Sequence, residues 1–151
     1  MKKLIFSVIL IAALMAFAGC GSVGGFADAV GKEWKLIEVR TDNKDTAFNR
    51  NALSKDGASD IFTMKIEAET LSGVGATNRF TAPYTLGEGQ AIEIQPMRST
   101  LMAPLRQPEK LKENEFFVYL QNTTEWKVAD KKLEFHSKTE DGTPVVLVFA
   151  L

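Results

Sequence analysis

The chain has 151 residues, 45% hydrophobic and 25% charged, with 18 basic side chains against 19 acidic ones and a formal charge of −1. That size suits one folded domain, and the near-neutral balance lacks the basic stretch that a nucleic-acid surface needs. One cysteine and one histidine exclude an intrachain disulfide, a thiolate metal site and a histidine metal cluster. No cofactor is implied.

The first twenty residues read MKKLIFSVILIAALMAFAGC. Lys2 and Lys3 precede an apolar run from Leu4 to Phe17, broken only by Ser7, and small residues then lead into Cys20. This order is that of a bacterial export signal over residues 1–19 with a lipobox, which makes Cys20 the lipid-modified first residue of the mature protein. A membrane-spanning helix needs about 20 apolar residues, whereas this run is nearer the roughly 7–15 of a signal core. Several acyl chains, palmitate among them, each gain about 0.8 kcal/mol per buried methylene and anchor the protein permanently. Residues 20–30, with Gly21-Ser22-Val23-Gly24-Gly25, are expected as a flexible tether, and 31–151 as the folded domain. Gly21 after the cysteine, rather than Asp, points to the outer membrane facing the periplasm in a cell with two membranes. Loss of Lys2 and Lys3 leaves 16 basic residues against 19 acidic, a mild charge of −3.

Trp34 to Arg40 predicts the first strand. Trp34 and Leu36 share one face while Ile37 and Val39 share the other, a change of phase that a β-bulge produces. Thr41 to Asp60 reads as a long polar loop and as the stretch best placed for partner contact. Its aspartates, Asp42, Asp45, Asp56 and Asp60, lack the spacing of a calcium loop. Asp60 to Ala68 alternates, with Phe62, Met64, Ile66 and Ala68 inward. Gly73-Val74-Gly75 reads as a kink or turn, since it lacks the helix and the Lys-Ser/Thr of a phosphate loop. Asn78, Phe80, Ala82, Tyr84 and Leu86 then fall on one face of a strand. Gly87 to Gln90 turns this strand into a partner carrying Ile92 and Ile94, a hairpin.

Ser99 to Met102 continues extended, and Pro104 and Pro108 punctuate a loop. Pro108 to Asn122 predicts the one helix, with Glu109 and Glu113 at its positive end. Its stripe of Leu111, Phe116, Phe117 and Leu120 is expected in the core. Three strands close the chain. Trp126 and Val128 point inward, the indole against the Phe116–Leu120 stripe; Leu133, Phe135 and Ser137 follow, with Glu134 and His136 outward. Pro144 to Phe149 is apolar on both faces, as in a central or closed-sheet strand. The fold class is mainly β with one helix, a small antiparallel barrel or strongly bent sheet.

The stretch Asn78-Arg79-Phe80-Thr81-Ala82-Pro83-Tyr84 resembles the META domain (HslJ-like) family. Ala76, Thr77, Asn78, Arg79, Phe80, Ala82 and Tyr84 match its Gly-Cys-Asn-Arg-Phe-x-Gly-x-Tyr-like motif. Ser99, Thr100, Leu101, Met102, Ala103 and Pro104 are similar to its Ser-Thr-x-Met-Ala-Cys/Gly-Pro motif with one residue missing. Trp34 and Leu36, the helix at Glu115 to Leu120, and Leu133 with Phe135 agree in order over roughly residues 31–150. Where many members carry cysteines, this chain has Thr77 and Pro104 or its neighbour, so no function can rest on a thiol pair. The resemblance implies a conical barrel with one helix, often exported and lipid-anchored, linked in some members to envelope stress or drug tolerance. It implies no agreed enzymatic activity.

His136 lies on a polar strand face without a nucleophile or orienting group beside it in sequence, and reads as a solvated histidine. Asn78 reads as a buried amide that pins loop backbone, with Arg79 facing outward. The expectation is a non-catalytic, lipid-anchored envelope protein with a binding, assembly or stress-related role. The motif residues Asn78, Arg79, Tyr84, Ser99, Thr100 and Met102 are its structural or binding candidates. The other expectation is a barrel whose mouth holds an apolar ligand or partner peptide.

Overall fold

The computed structural model describes residues 24–103, 108 and 110–151. Cys20, the export signal, Pro104 and Glu109 lie outside the described residues. β1 (Glu33–Thr41) sits near the middle of the sheet, where its residues must satisfy two neighbours. Trp34, Leu36 and Val39 are all buried, because the register with the last strand slips between Leu36 and Glu38. Ile37 is the extra residue of the expected bulge, and it shifts the inward positions from even to odd numbers.

The stretch expected as a polar loop holds β2 (Lys44–Ala47) and α1 (Arg50–Lys55). The helix was illegible because six residues whose apolar side chains are the adjacent Ala52 and Leu53 show no periodicity. It forms through tertiary ties. The Asn49 side chain accepts from the Ala52 N–H at 3.1 Å, an N-cap. Arg50 donates to the carbonyls of Ile61 at 2.9 Å and Ser59 at 2.7 Å. Burial lowers the Arg50 pKa, with Asp60 and Glu33 opposing that shift.

β3 (Thr63–Ile66) is shorter than the alternation suggested. Phe62 precedes it at φ +51°, a bend that sends its ring inward, and Ala68 is exposed. The supposed kink at Gly73 lies within β4 (Thr70–Val74), opposite Met64. Only glycine fits there, since a Cβ would sit 2.0 Å from the Thr63 carbonyl oxygen. β5 (Arg79–Leu86) buries Phe80, Ala82 and Tyr84 as expected, while Leu86 is 49% exposed at the hairpin end. β6 (Ile92–Ile94) and β7 (Arg98–Ser99) both pair with β5.

α2 (Glu113–Gln121) starts later than the proline suggested, because the Lys112 N–H finds the Glu115 carboxylate at 2.8 Å and begins the helix there. β8 (Glu125–Ala129), β9 (Lys132–Lys138) and β10 (Pro144–Ala150) complete the sheet. All pairings are antiparallel, in the order β6-β5-β4-β3-β1-β10-β9-β8. The two ends meet at an Ala91–Glu125 bridge, where Ile92 N–H donates to Thr124 and Trp126 N–H to Gln90. The result is a nearly closed barrel with two helices, one more than expected. β10 lies between β1 and β9 and buries Val145, Leu147, Val148 and Phe149, both faces, as a central strand does.

The interior is filled by large side chains. Phe116 of α2 is fully buried and meets Phe62 at 5.0 Å and Phe80 at 6.1 Å between ring centroids. Elsewhere Phe26, from a four-residue 3-10 turn (Phe26–Ala29), meets Tyr84 at 5.3 Å and Trp126 at 5.1 Å. Two expectations change here. Trp126 is buried, but its ring neighbour is Phe26 rather than the Phe116–Leu120 stripe. The described part of the expected tether is packed: Phe26 and Ala29 are buried, and Gly24 N–H donates to Val128 at 2.9 Å. An aromatic ring supplies the burial that a run of small residues could not.

Candidate functional site

The motif residue Asn78 is 7% exposed at the start of β5 and uses both ends of its amide. Its Oδ1 accepts from the Thr100 hydroxyl at 2.8 Å and the Met102 N–H at 2.7 Å. Its Nδ2 donates to the Met102 carbonyl at 3.2 Å and to Glu113 Oε2 at 2.8 Å. Thr100 adds a second tie, accepting from the Arg79 N–H at 3.1 Å. Asn78 thereby clamps the segment after β7 to β5 and both to the first residue of α2.

Glu113 is the residue that sequence reasoning missed as part of the site. A glutamate in the first turn of a helix is ordinarily read as a solvated partner of the helix dipole. Here it is 6% exposed, and its Oε1 accepts from the Thr77 N–H at 2.8 Å and the Asn78 N–H at 2.6 Å. Burial pushes this carboxyl up. The backbone donors of Asn78, Thr77 and Ala76 and the Asn78 amide outweigh it, and the pKa falls below the usual glutamate value. Gly75 makes room for the carboxylate, since a Cβ there would lie 2.6 Å from Glu113 Oε1 and 2.8 Å from the Phe117 ring. A carboxylate held ionised by this many donors is a weak base and carries no proton to give near neutral pH. Its chemistry is that of a lock between helix and barrel.

The side chains of the other motif residues do not converge on this corner. Arg79 points outward beside a concavity of about 290 Å³ that also takes in Glu33 and Lys65. Ser99 is exposed opposite Phe80, and Met102 contributes its backbone while its side chain is 52% exposed. Tyr84 lies towards the far end of β5, where its hydroxyl donates to Glu67 at 2.7 Å and Ala68 at 3.0 Å. Burial, followed by the nearby Glu69 charge, raises its pKa. At the end of α2, Gln121 donates to Ile94 at 2.6 Å and accepts from Met97 at 2.9 Å, a second tie between helix and sheet.

His136 stands on the outer face with Nε2 3.4 Å from Glu134, which also pairs with Arg40 at 3.1 Å. Arg40 reaches Glu38 at 2.8 Å as well, so it spans β10 above Val148, the residue between Glu38 and Glu134 in register. Among the described residues, no group of three or more His, Cys, Asp and Glu side chains is arranged to hold a metal ion.

These features define a helix-plugged antiparallel barrel whose motif ties its own parts together. The sequence matches the META domain family over residues 27–149, and the chain belongs to that family. In fold it is similar to a protein from Burkholderia xenovorans solved by NMR, with a TM-score of 0.57 and 15% identity over 82% of this chain and 85% of that one. It is also similar to a DUF4847 family protein from Bacteroides vulgatus, with a TM-score of 0.52 and 16% identity over 84% of this chain and 96% of the other. No curated protein matches the sequence.

Proposed function

We propose that this META domain protein is lipid-anchored in the bacterial cell envelope. There it serves a binding or assembly role in a stress-related setting, without catalysis of its own. The observation that carries this reading is that the polar motif is engaged inside the domain. The Asn78 amide, the Thr100 hydroxyl and the Glu113 carboxylate all have partners in the barrel itself. Recognition then falls to the outer surface. One outer concavity, of about 440 Å³ between α2 and the β9–β10 turn, combines Val118 and Tyr119 with Glu115, Glu140 and Asp141, a mixed lining suited to a protein partner. Anchoring rests on the signal and Cys20. Metabolic labelling with an alkyne fatty acid tests it, and a Cys20→Ala variant that still took up label would sink it. Crosslinking in intact cells and pull-down tests the assembly role; recovery of the protein without any envelope partner counts against it.

The second reading, a carrier for an apolar ligand or peptide, has one observation in its favour. The indole N–H of Trp126 is buried without an acceptor among the described residues, and a ligand carbonyl would satisfy it. Against it stands an interior already filled by Trp34, Phe62, Phe80 and Phe135. Native mass spectrometry of the protein decides, and repeated preparations free of lipid or peptide would end this reading.

A further inference from the structure

We propose that the β8–β9 hairpin docks on the anionic phospholipid headgroups of the membrane that holds Cys20; this rests on the lipid-anchored reading above. Gly24 is bridged to Val128 in antiparallel sense, beside the β8–β9 hairpin. Four residue steps separate Gly24 from Cys20, a span of at most about 14 Å. The tip lies two residues beyond Val128, about 7 Å further along the strand. An acylated Cys20 therefore has this hairpin within reach of the headgroup layer.

The chemistry of the hairpin fits that layer. Lys127, Lys131 and Lys132 are exposed, and among the described residues none of them is in an ion pair. Lys127 and Lys132 line a polar concavity of about 200 Å³ with Arg40, Asp130 and Glu134. The opposing acids are Asp130 and Glu134 in that lining, Glu38 beside it and Asp28 beside Gly24; Arg40 is taken up by Glu38 and Glu134, which leaves the three lysines as the cations open to a headgroup. Glu67, Glu69 and Glu88 lie in the other turns at this end of the sheet, so the attraction rests on Lys127, Lys131 and Lys132 being the cations nearest the Cys20 tether. The turn itself is costly: Asp130 sits at φ +51° and Lys131 at φ +61°. Glycine is the favoured residue at the second of these positions, so a lysine there trades stability for charge. Each lysine near an anionic surface gives roughly a fivefold gain in association.

The test uses the full-length protein, purified in its acylated form and reconstituted into phosphatidylcholine vesicles with or without phosphatidylglycerol. A fluorophore is placed at Ala129→Cys, or at Glu140→Cys in the turn at the other end of β9, with a headgroup spin label as quencher. Position 129 should be strongly quenched and position 140 weakly, with the contrast present only when phosphatidylglycerol is included. Lys127→Glu/Lys131→Glu/Lys132→Glu, all at exposed positions, should reduce quenching at 129 to the level at 140, with a urea midpoint that shows the variant folded under the assay conditions. Equal quenching at the two positions, or quenching indifferent to charge reversal or to phosphatidylglycerol, overturns the docking while anchoring stands. Mass spectrometry showing Cys20 without acyl chains overturns the anchoring reading and the docking with it.

Discussion

The Asn78 corner and the β8–β9 ribbon are both rich in polar residues, yet they use them in opposite ways. At the corner, the amide of Asn78 and the carboxylate of Glu113 are turned inward and every bond is made to the chain itself. On the ribbon, Trp126, Val128, Leu133 and Phe135 fill the core while Lys127, Lys131 and Lys132 remain in solvent. A motif that is easy to recognise can therefore be the part least available to a partner. Plain surface lysines, which no motif would mark, are the part left free.

Substitutions sharpen that contrast. Trp126→Ala removes the largest inward side chain of the ribbon and should cost about 3–5 kcal/mol, read as a lower urea midpoint for the domain without residues 1–20. A loss as small as that of an outward residue would show that the ribbon does not wall the core. Asn78→Ala deletes four side-chain bonds and strands the Met102 N–H and part of the Glu113 cradle. The expected cost is about 2–4 kcal/mol; a near-neutral result would mean that water replaces the amide and that the corner is no lock.

The corner should also respond to acid. The folded pKa of Glu113 lies below its ordinary value, so its stabilisation is fully present above that ordinary, unfolded value and is lost as pH falls through the folded one. Urea midpoints taken between neutral pH and strong acid should drop in that window. Glu113→Gln should start from a lower midpoint at neutral pH and show a shallower drop, because its side chain has no charge to lose. An unchanged acid limb would break the assignment of the cradle to an ionised carboxylate.

The smallest effects belong to the outer ribbon. Lys131→Gly relieves a positive φ and should raise stability by roughly 0.5–1 kcal/mol in the same urea assay, the opposite sign to every change at the corner. His136→Ala should shift stability by no more than about 0.5 kcal/mol, since its contact with Glu134 is half-exposed and Arg40 holds Glu134 without it. A large loss would mean that the outer network carries part of the fold.

The long alternating strands and their inward faces were legible in sequence, because burial on one face of a sheet imposes a period of two. The inward Asn78 follows from that rule, the phase change at Ile37 marks a bulge that interrupts it, and β10 departs from it because both its faces are covered. Short elements escaped it: α1 has one large apolar residue, and β4 holds a glycine that local rules assign to a turn. Both exist through distant partners, the carbonyls that receive Arg50 and the Thr63 backbone that leaves no room for a Cβ at Gly73. By itself the sequence determined the barrel class, its helix stripe and the buried amide. Only the tertiary structure decided that Glu113 enters the corner beside that amide, that Phe26 draws residues 24–30 into the domain, and that Gly24 lies beside the lysine hairpin. Those three facts join residues at least 35 apart in the chain, and which distant backbone donors, rings and strand edges meet is set by closure of the sheet, which no local pattern encodes.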